Sequence, residues 1–556
     1  MRQEPHPISG FIYSEVGEGL GLVRVEDREN GREGLFKWDG TYIEGDLTYA
    51  DPHLLTYVGG PTVPPEHDVY WPMLPLDHDG SKPALPTPEA VQAAQAAAAQ
   101  MPRIVAKYVP DPGKQTPDGM RSLTDIDQDW LLEHDRHPEL IPDVYRLKSP
   151  MPGGPEKMRT DRYFKKEYHD LEVERLWKKT WQMVCREEEI PEVGDHYLYR
   201  VAHLSFLIVR TGPDEFKAHW NACLHRGRQL RDCSGKKAHE FRCPFHGWTW
   251  TIDGKLKHIT TEWDFPGVRD NVAELPGAKI GRWGGWIFIN PDPNAQDFEE
   301  YMGPEMRAQY AKFKYENRYL HAHVQKVIRA NWKTTLEAFS ESYHVVATHP
   351  QLLLQGGDFG DGHYDVFGNW GRLGHVQSVA ASPMRGIIPT PEQALEAYRG
   401  YADYNKAWIA SVLGEEEANK FSDAELCDIT YSNLWPNFAP WGGFGRIVYR
   451  WRPNGDNPEE CIMELMLLAP WPEGKPRPAP AKLHELGIDE PWTNALELGN
   501  LSRIIEQDMI NLDKVQLGLK NKPEPYIWMS SYQEGVLRNW HQTYAKVLGL
   551  EELGLE

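Results

Sequence analysis

Two stretches of the chain carry a helical stripe of apolar residues with polar groups set into it or beside it. Leu501, Ile505, Leu512, Val515 and Leu519 recur at four- and three-residue steps, the period of one helix face. Asp508 stands at the one step where an apolar residue is missing. A carboxylate on an apolar face is costly unless it is paired or bound to a metal. Its neighbours Glu506 and Asp513 fall off the stripe and are expected in solvent. Trp332, Leu336, Phe339, Tyr343 and Val346 form the second stripe, with Glu337, Glu341 and His344 beside it. Such a charged row is most often a solvated face. Pro350 disfavours helical geometry at His349, so the helix is predicted to end there, which lets His349 turn towards His344.

Strand patterns lie around these helices. Residues 196–201, 205–210 and 286–289 read as strands between turn signals, as do 446–451 and 461–468 further on. A helical lead-in over 163–181 precedes the first set. Near the N-terminus, Asn30-Gly31 and Asp39-Gly40 separate β-like runs at 22–25, 35–38 and 41–43, which predicts a three-stranded meander. Residues 61–88 contain eight Pro and read as an extended linker, and 89–100, mostly Ala and Gln, as a helix. The expected organisation is an α+β chain: an N-terminal extension over 1–110 with a packing or subunit-contact role, a connecting segment over 111–160, a small β-rich domain over 161–295 and a second domain over 296–556.

The chain has 556 residues, with 60 Lys and Arg against 82 Asp and Glu, a net charge of −22. Nucleic acid and anionic membrane are therefore repelled unless a local patch reverses the sign. No run of 18 apolar residues occurs, and the N-terminus has no apolar signal core. Six Cys show no disulfide framework, which suits a reducing, cytoplasmic location.

Four residues carry the most specific signal. Cys223-Leu224-His225 and Cys243-Pro244-Phe245-His246 each pair a thiolate with an imidazole, 17 residues apart. Two Cys and two His make up the ligand set of a Rieske [2Fe–2S] centre, in which His replaces Cys on one iron. The same composition can make a tetrahedral zinc site, but zinc sites usually group like ligands together. Between Cys223 and Cys243 stand Arg226, Arg228, Arg231, Lys236, Lys237 and Arg242 against Asp232 and Glu240, a local excess of four positive charges. A solvated loop or a landing site for an acidic electron donor would both use such a run.

These loops, 221–227 and 243–248, resemble the cluster loops of the Rieske non-haem iron oxygenases. The respiratory Rieske proteins carry an additional Cys in each loop, whereas here Cys233 has no counterpart in the second. The resemblance extends over 160–540, including Ser432-Asn433-Leu434-Trp435-Pro436-Asn437 and the stretch from Asn331-Trp332-Lys333 to His349-Pro350. It implies a Rieske antiparallel β-sandwich domain and a helix-grip (START-like) catalytic domain. It also implies two cofactors: a [2Fe–2S] cluster on Cys223, His225, Cys243 and His246, and a mononuclear Fe(II) on His344, His349 and Asp508. Such iron uses two His and one carboxylate and leaves positions open for O₂.

The family often has Asp three residues before the first His ligand. Here it is Glu341, as in carnitine-type amine monooxygenases, and Ala338 replaces the Asn common in aromatic dioxygenases. Glu341 is the expected catalytic acid, bonding His344 and, within a head-to-tail homotrimer, the neighbouring subunit's equivalent of His246. The activity implied is hydroxylation of an apolar, aromatic substrate as in aromatic hydrocarbon catabolism. The alternatives are mono-oxygenation with N- or O-dealkylation, or hydroxylation of an amine or steroid-like substrate. An electron carrier without oxygenase chemistry would need no second metal site. With no G-x-G-x-x-G unit present, electrons are expected from NAD(P)H through a separate ferredoxin or reductase.

Overall fold

A computed structural model describes residues 2–64, 67, 128–150, 153–352, 363–376, 389–442, 446–471 and 474–555. The Pro-rich linker and the Ala-rich helix predicted over 61–100 fall almost wholly outside the described residues.

The N-terminal meander has five antiparallel strands, in chain order: Gln3–Pro5, Ile12–Glu15, Leu22–Asp27, Arg32–Lys37 and Tyr42–Gly45. Both expected glycine turns are present, with Gly31 and Gly40 at φ of 65° and 91°. The first two strands escape a hydrophobicity reading because buried Glu15 sits where an apolar residue would, paired with Arg2 at 3.3 Å. Helix α1 (Pro52–Gly59) closes the module, burying Leu54, Leu55 and Val58 against Tyr13, Val23, Val25 and Phe36.

The next unit is a six-stranded antiparallel sheet with a three-stranded sheet facing it. The six run in the order Gln182–Arg186, Trp286–Asn290, Gly277–Trp283, Glu215–Trp220, Leu204–Gly212 and His196–Val201. The three are Glu240–Arg242, Thr249–Thr251 and Leu256–His258. A small core of Leu207, Val209, Phe241 and Trp250 lies between them and includes both loop cysteines, Cys223 and Cys243. The helical lead-in ends at Trp177, earlier than expected, after a stretch of π-helix over Glu172–Trp177.

An eight-stranded sheet forms the second large unit. Its two longest strands, Arg318–Ile328 and Asn457–Pro470, pair antiparallel near one edge of the sheet, with Ile447–Asn454 alongside. The two large units share one core: Phe288 meets Phe438 edge-on at 5.2 Å, and Trp177 meets Trp332 at 5.0 Å. Buried Arg450 donates to the Met183 carbonyl at 3.0 Å and pairs with Glu464, which also holds Arg452 at 2.6 Å and His323 at 3.0 Å. Burying these charges is tolerable because each has its partner.

The helix at 332–346 is shorter than its sequence stripe. Helix α2 covers Trp332–Ala338, the chain then turns, and a single helical turn, α3, covers Val345–Thr348. Ser340 accounts for the break. Its hydroxyl bonds back to the Leu336 carbonyl at 2.8 Å and meets the Tyr431 hydroxyl at 2.9 Å, while Ser342 meets Tyr364 at 2.8 Å. Tyr343, placed on the apolar stripe by its spacing, is instead 59% exposed. Helix α4 (Leu501–Asn521) is continuous as expected, with Leu501, Ile505, Asp508, Leu512 and Leu519 buried but Val515 exposed.

Candidate metal centres

The two cysteine–histidine loops use the same backbone device. Cys223 N–H donates to the Arg228 carbonyl at 2.9 Å, and Gly227 N–H returns to the Cys223 carbonyl at 2.8 Å. In the second loop Cys243 N–H donates to Trp248 at 2.8 Å, and Gly247 N–H to Cys243 at 3.1 Å. Gly227 and Gly247 both sit at φ of 77°, the left-handed region that glycine enters without penalty. The loops bury Cys223 and Cys243 in one core, where burial and the neighbouring Cys243 thiol raise the Cys223 pKa, and set the rings of His225 and His246 4.6 Å apart. Sulfur thus lies beside sulfur and ring beside ring. That is the division a cluster with two Cys on one iron and two His on the other requires.

A tetrahedral zinc would draw all four donors to one point. Among the described residues, His344, His349 and Asp508 are the group whose ligand atoms converge to within 4.8 Å. His225 Nδ1 is buried without a hydrogen bond, a costly state that a metal bond relieves. Burial, with His246 and Arg226 nearby, holds His225 below its ordinary pKa, so its neutral, metal-binding form dominates. Trp248 stacks on the ring at 5.0 Å and Phe265 meets it edge-on at 5.6 Å, fixing its plane.

The second centre is assembled from three elements. His344 leads into α3, His349 ends it, and Asp508 projects from the buried face of α4. Asp508 Oδ1 lies 2.9 Å from His349 Nε2 and 3.6 Å from His344 Nε2. Helix α4 is anchored on the C-terminal side of Asp508. Gln516 accepts from the Asn331 amide at 3.0 Å and donates to the Tyr163 carbonyl at 3.1 Å. Asn331 in turn caps α2 by accepting from Lys333 N–H at 2.9 Å.

Each imidazole donates its far nitrogen away from the centre. His344 Nδ1–H meets Glu341 Oε1 at 2.6 Å, and Glu341 Oε2 accepts the His344 amide at 3.0 Å. His349 Nδ1–H meets the Gln507 amide oxygen at 3.0 Å. Both rings therefore present Nε2 inward, as a metal site needs. Burial works to lower the pKa of His344, but the Glu341 carboxylate, its hydrogen bond and Asp508 outweigh burial and hold it up at about 9.

Glu337 and Glu506 are not the solvated groups that their spacing suggests. Glu337 accepts from Tyr163 at 2.8 Å and pairs with buried His541 at 2.7 Å, and Glu506 accepts the Trp492 amide. Gln507 was also hidden from sequence reasoning. It adjoins Asp508 but lies off the apolar stripe, and only its spacing with Arg503 and Asn511, four residues either way, marks a second buried face of α4.

A buried aromatic cluster reaches the neighbourhood of Asp508 through Tyr449. Tyr449 packs between Phe339 at 5.0 Å and Trp451 at 5.4 Å, and Tyr431 and Trp441 continue it. Burial raises the Tyr449 phenol well above its ordinary pKa, with the Asp508 charge adding to the shift, so it stays protonated.

Residues 180–268 match the model of the Rieske [2Fe-2S] domain, and residues 307–550 that of the ring hydroxylating alpha subunit (catalytic domain). The chain belongs to the Rieske non-haem iron oxygenase family. Family members carry a [2Fe–2S] cluster and a mononuclear iron. The carnitine monooxygenase oxygenase subunit of Escherichia coli (strain K12) is 29% identical over 181 residues, 32% of this chain and 48% of that protein. The chain thus spans about half the length of such curated relatives. The anthranilate 1,2-dioxygenase large subunit of Acinetobacter baylyi is 28% identical over 430 residues, covering 72% of this chain and 84% of its own. The apo crystal structure of a quaternary ammonium Rieske monooxygenase superposes with a TM-score of 0.51 at 17% identity, over 72% of this chain and 96% of that one, a likeness of fold. Among the described residues, no helix is long and apolar enough to cross a membrane.

Proposed function

We propose that this chain is the terminal oxygenase component of a Rieske system, acting on a small apolar substrate, aromatic by preference. Two separate ligand sets in one chain carry this reading: paired Cys and paired His in 161–295, and the convergent His344, His349 and Asp508 in 296–556. An electron carrier without oxygenase chemistry has no use for the second set. Cys223, Cys243, His225 and His246 would hold the cluster, and His344, His349 and Asp508 the iron. When bound, the cluster supplies electrons one at a time and the iron activates O₂.

The protein's own work is orientation and exclusion. Glu341 and Gln507 hold the Nδ1 protons of His344 and His349 and keep each ring in the tautomer that offers Nε2. Asp508 contributes a buried negative charge between the two rings. Tyr449, near enough to Asp508 to feel its charge, packs on Phe339 and Trp451 in a buried apolar cluster that keeps water from that side of the carboxylate. Electrons reach the exposed cluster loops from a ferredoxin or NAD(P)H-dependent reductase. The protein works in the cytoplasm as a homotrimer, in which a neighbour's cluster face meets the His344 side of the catalytic unit.

The second reading is mono-oxygenation of a quaternary ammonium or other amine. It is favoured by Glu341 standing where many relatives have Asp, and by the carnitine monooxygenase likeness. Turnover of aromatic acids, fused aromatics, carnitine and betaines with a surrogate reductase, analysed by mass spectrometry, separates the two. Ring-hydroxylated products support the first reading and dealkylated ones the second. Product formation by Asp508→Ala at the wild-type rate would overturn both.

A further inference from the structure

We propose that the N-terminal module is a working part of the iron site, holding ligand His349 in place through Gln507. The inference rests on the reading of His344, His349 and Asp508 as the iron ligands.

The module has no place in the two domains just described, yet α1 lies directly on α4, the helix that carries Asp508. Three residues of α4 reach it: Arg503, Gln507 and Asn511, each one turn from the next on one face. Arg503 donates to the Tyr57 carbonyl at 2.8 Å and lies over the Tyr57 ring at 4.1 Å. Asn511 Oδ1 lies 3.1 Å from His53 Nε2, and its amide nitrogen donates to Thr348 Oγ1, beside His349, at 3.3 Å.

Gln507 is the link to the metal. Its Nε2–H donates to the His53 carbonyl at 3.2 Å and to Gln351 at 3.1 Å. Its Oε1 accepts from His349 Nδ1–H at 3.0 Å and from Gln351 at 2.6 Å. A side-chain amide can flip, and a flip here would aim N–H at His349 Nδ1 and lose that bond. The His53 carbonyl, a fixed acceptor on a capped helix, prevents this. It keeps the amide oxygen on His349, and so keeps Nε2 of that ring towards Asp508. Gln507 is thus a positioning residue whose setting comes from residue 53, more than 400 positions away in the chain. Partners of metal-bound imidazoles typically contribute about 10- to 100-fold in metal affinity.

The test uses the full-length, cluster-loaded protein, stripped of mononuclear metal and titrated with Co(II) alone. Gln507→Ala is expected to raise the Co(II) dissociation constant about 10- to 100-fold. Arg503→Ala, which loosens the module without touching the ligands or their partners, should raise it at least about fivefold, and Arg503→Lys should restore part of the loss. In the Gln507→Ala background, Arg503→Ala should add nothing, because the module acts through that amide.

Coupling is reciprocal, so Co(II) binding to wild type should also slow amide hydrogen exchange over Pro52–Gly59, a readout that needs no variant. Additive losses, or exchange over α1 that ignores the metal, would reduce the contact to ordinary packing and overturn the proposal. Asp508→Ala must abolish Co(II) uptake. If it does not, or if wild type takes up none, the iron-site reading fails and this inference with it. The Rieske EPR signal, unchanged throughout, reports that the variants are folded.

Discussion

At the scale of single residues, the two centres differ in how visible they were. The four residues proposed to hold the cluster stand out in the sequence because each loop is a local motif and its glycine turn is encoded within six residues. His344, His349 and Asp508 could be paired only through resemblance and an interrupted stripe, since 159 positions separate His349 from Asp508. Gln507 is marked only by its spacing with Arg503 and Asn511, and its role is set by a main-chain carbonyl that no local pattern reports. Cys243→Ser should abolish the Rieske EPR signal and visible spectrum. A colourless wild-type protein carrying zinc at these residues would refute the cluster assignment.

The residues proposed to hold the iron give a second residue-scale prediction. In the metal-free protein His344 holds its proton up to a pKa of about 9, and a metal must displace it. Apparent Co(II) affinity should therefore fall about tenfold per pH unit below that value and level off above it. Glu341 is the main source of the raised pKa. Glu341→Gln should then shift the break to lower pH while weakening the hold on the ring. Titrations across pH 6–10 on both proteins decide it, and a pH-independent affinity in wild type would contradict the protonated His344.

At the scale of elements, strands bounded by turn residues and the long helix α4 followed from local pattern, and the expected strand spans overlap the observed ones, with those at 35–38, 41–43 and 446–451 off by one residue at one end. The helix over 332–346 did not, because Ser340 and Ser342 find partners on distant strands, Tyr431 and Tyr364. No local signal reports such partners.

Helix α1 depends on its own cap. Asp51 accepts from His53 N–H at 2.8 Å and Leu54 N–H at 3.1 Å. Burial alone would raise Asp51, but the bonds from His53, His6 and Leu54 outweigh it and hold the carboxyl well below its usual range. A depressed carboxylate contributes stability that is present above its unfolded pKa, near ~4, and lost as pH falls through the folded value. Asp51→Ala should cost about 1 kcal/mol by thermal or denaturant unfolding at neutral pH. The penalty should shrink as wild type loses the same contribution in acid, and an equal penalty at pH 3 and pH 7 would be inconsistent with the cap carrying the charge.

At the scale of the whole molecule, a chain of net −22 presents its cluster from a basic loop. The structure sorts that loop's cations. Arg228 is paired with Asp232 at 2.9 Å, and Lys236 lies 3.3 Å from Asp195. Arg231 is folded over Phe241 at 5.1 Å, donating to main-chain carbonyls. Arg226, Lys237 and Arg242 remain as exposed cations around the two loops, with Arg226 over the ring of Phe245, itself 58% exposed. An acidic donor approaching this chain is repelled by its bulk and drawn to this rim, so orientation and rate both depend on a few charges. Screening at physiological salt reaches about 8 Å, enough to blunt the long-range part. Lys237→Glu with Arg242→Glu should therefore slow cluster reduction by an acidic ferredoxin at low salt and flatten its salt dependence. Reduction by dithionite and the EPR signal should stay as in wild type. Reversal at Lys236 should matter less to the donor, because its charge is already committed to Asp195. Equal rates for the double variant and wild type at low salt would mean that the donor lands elsewhere.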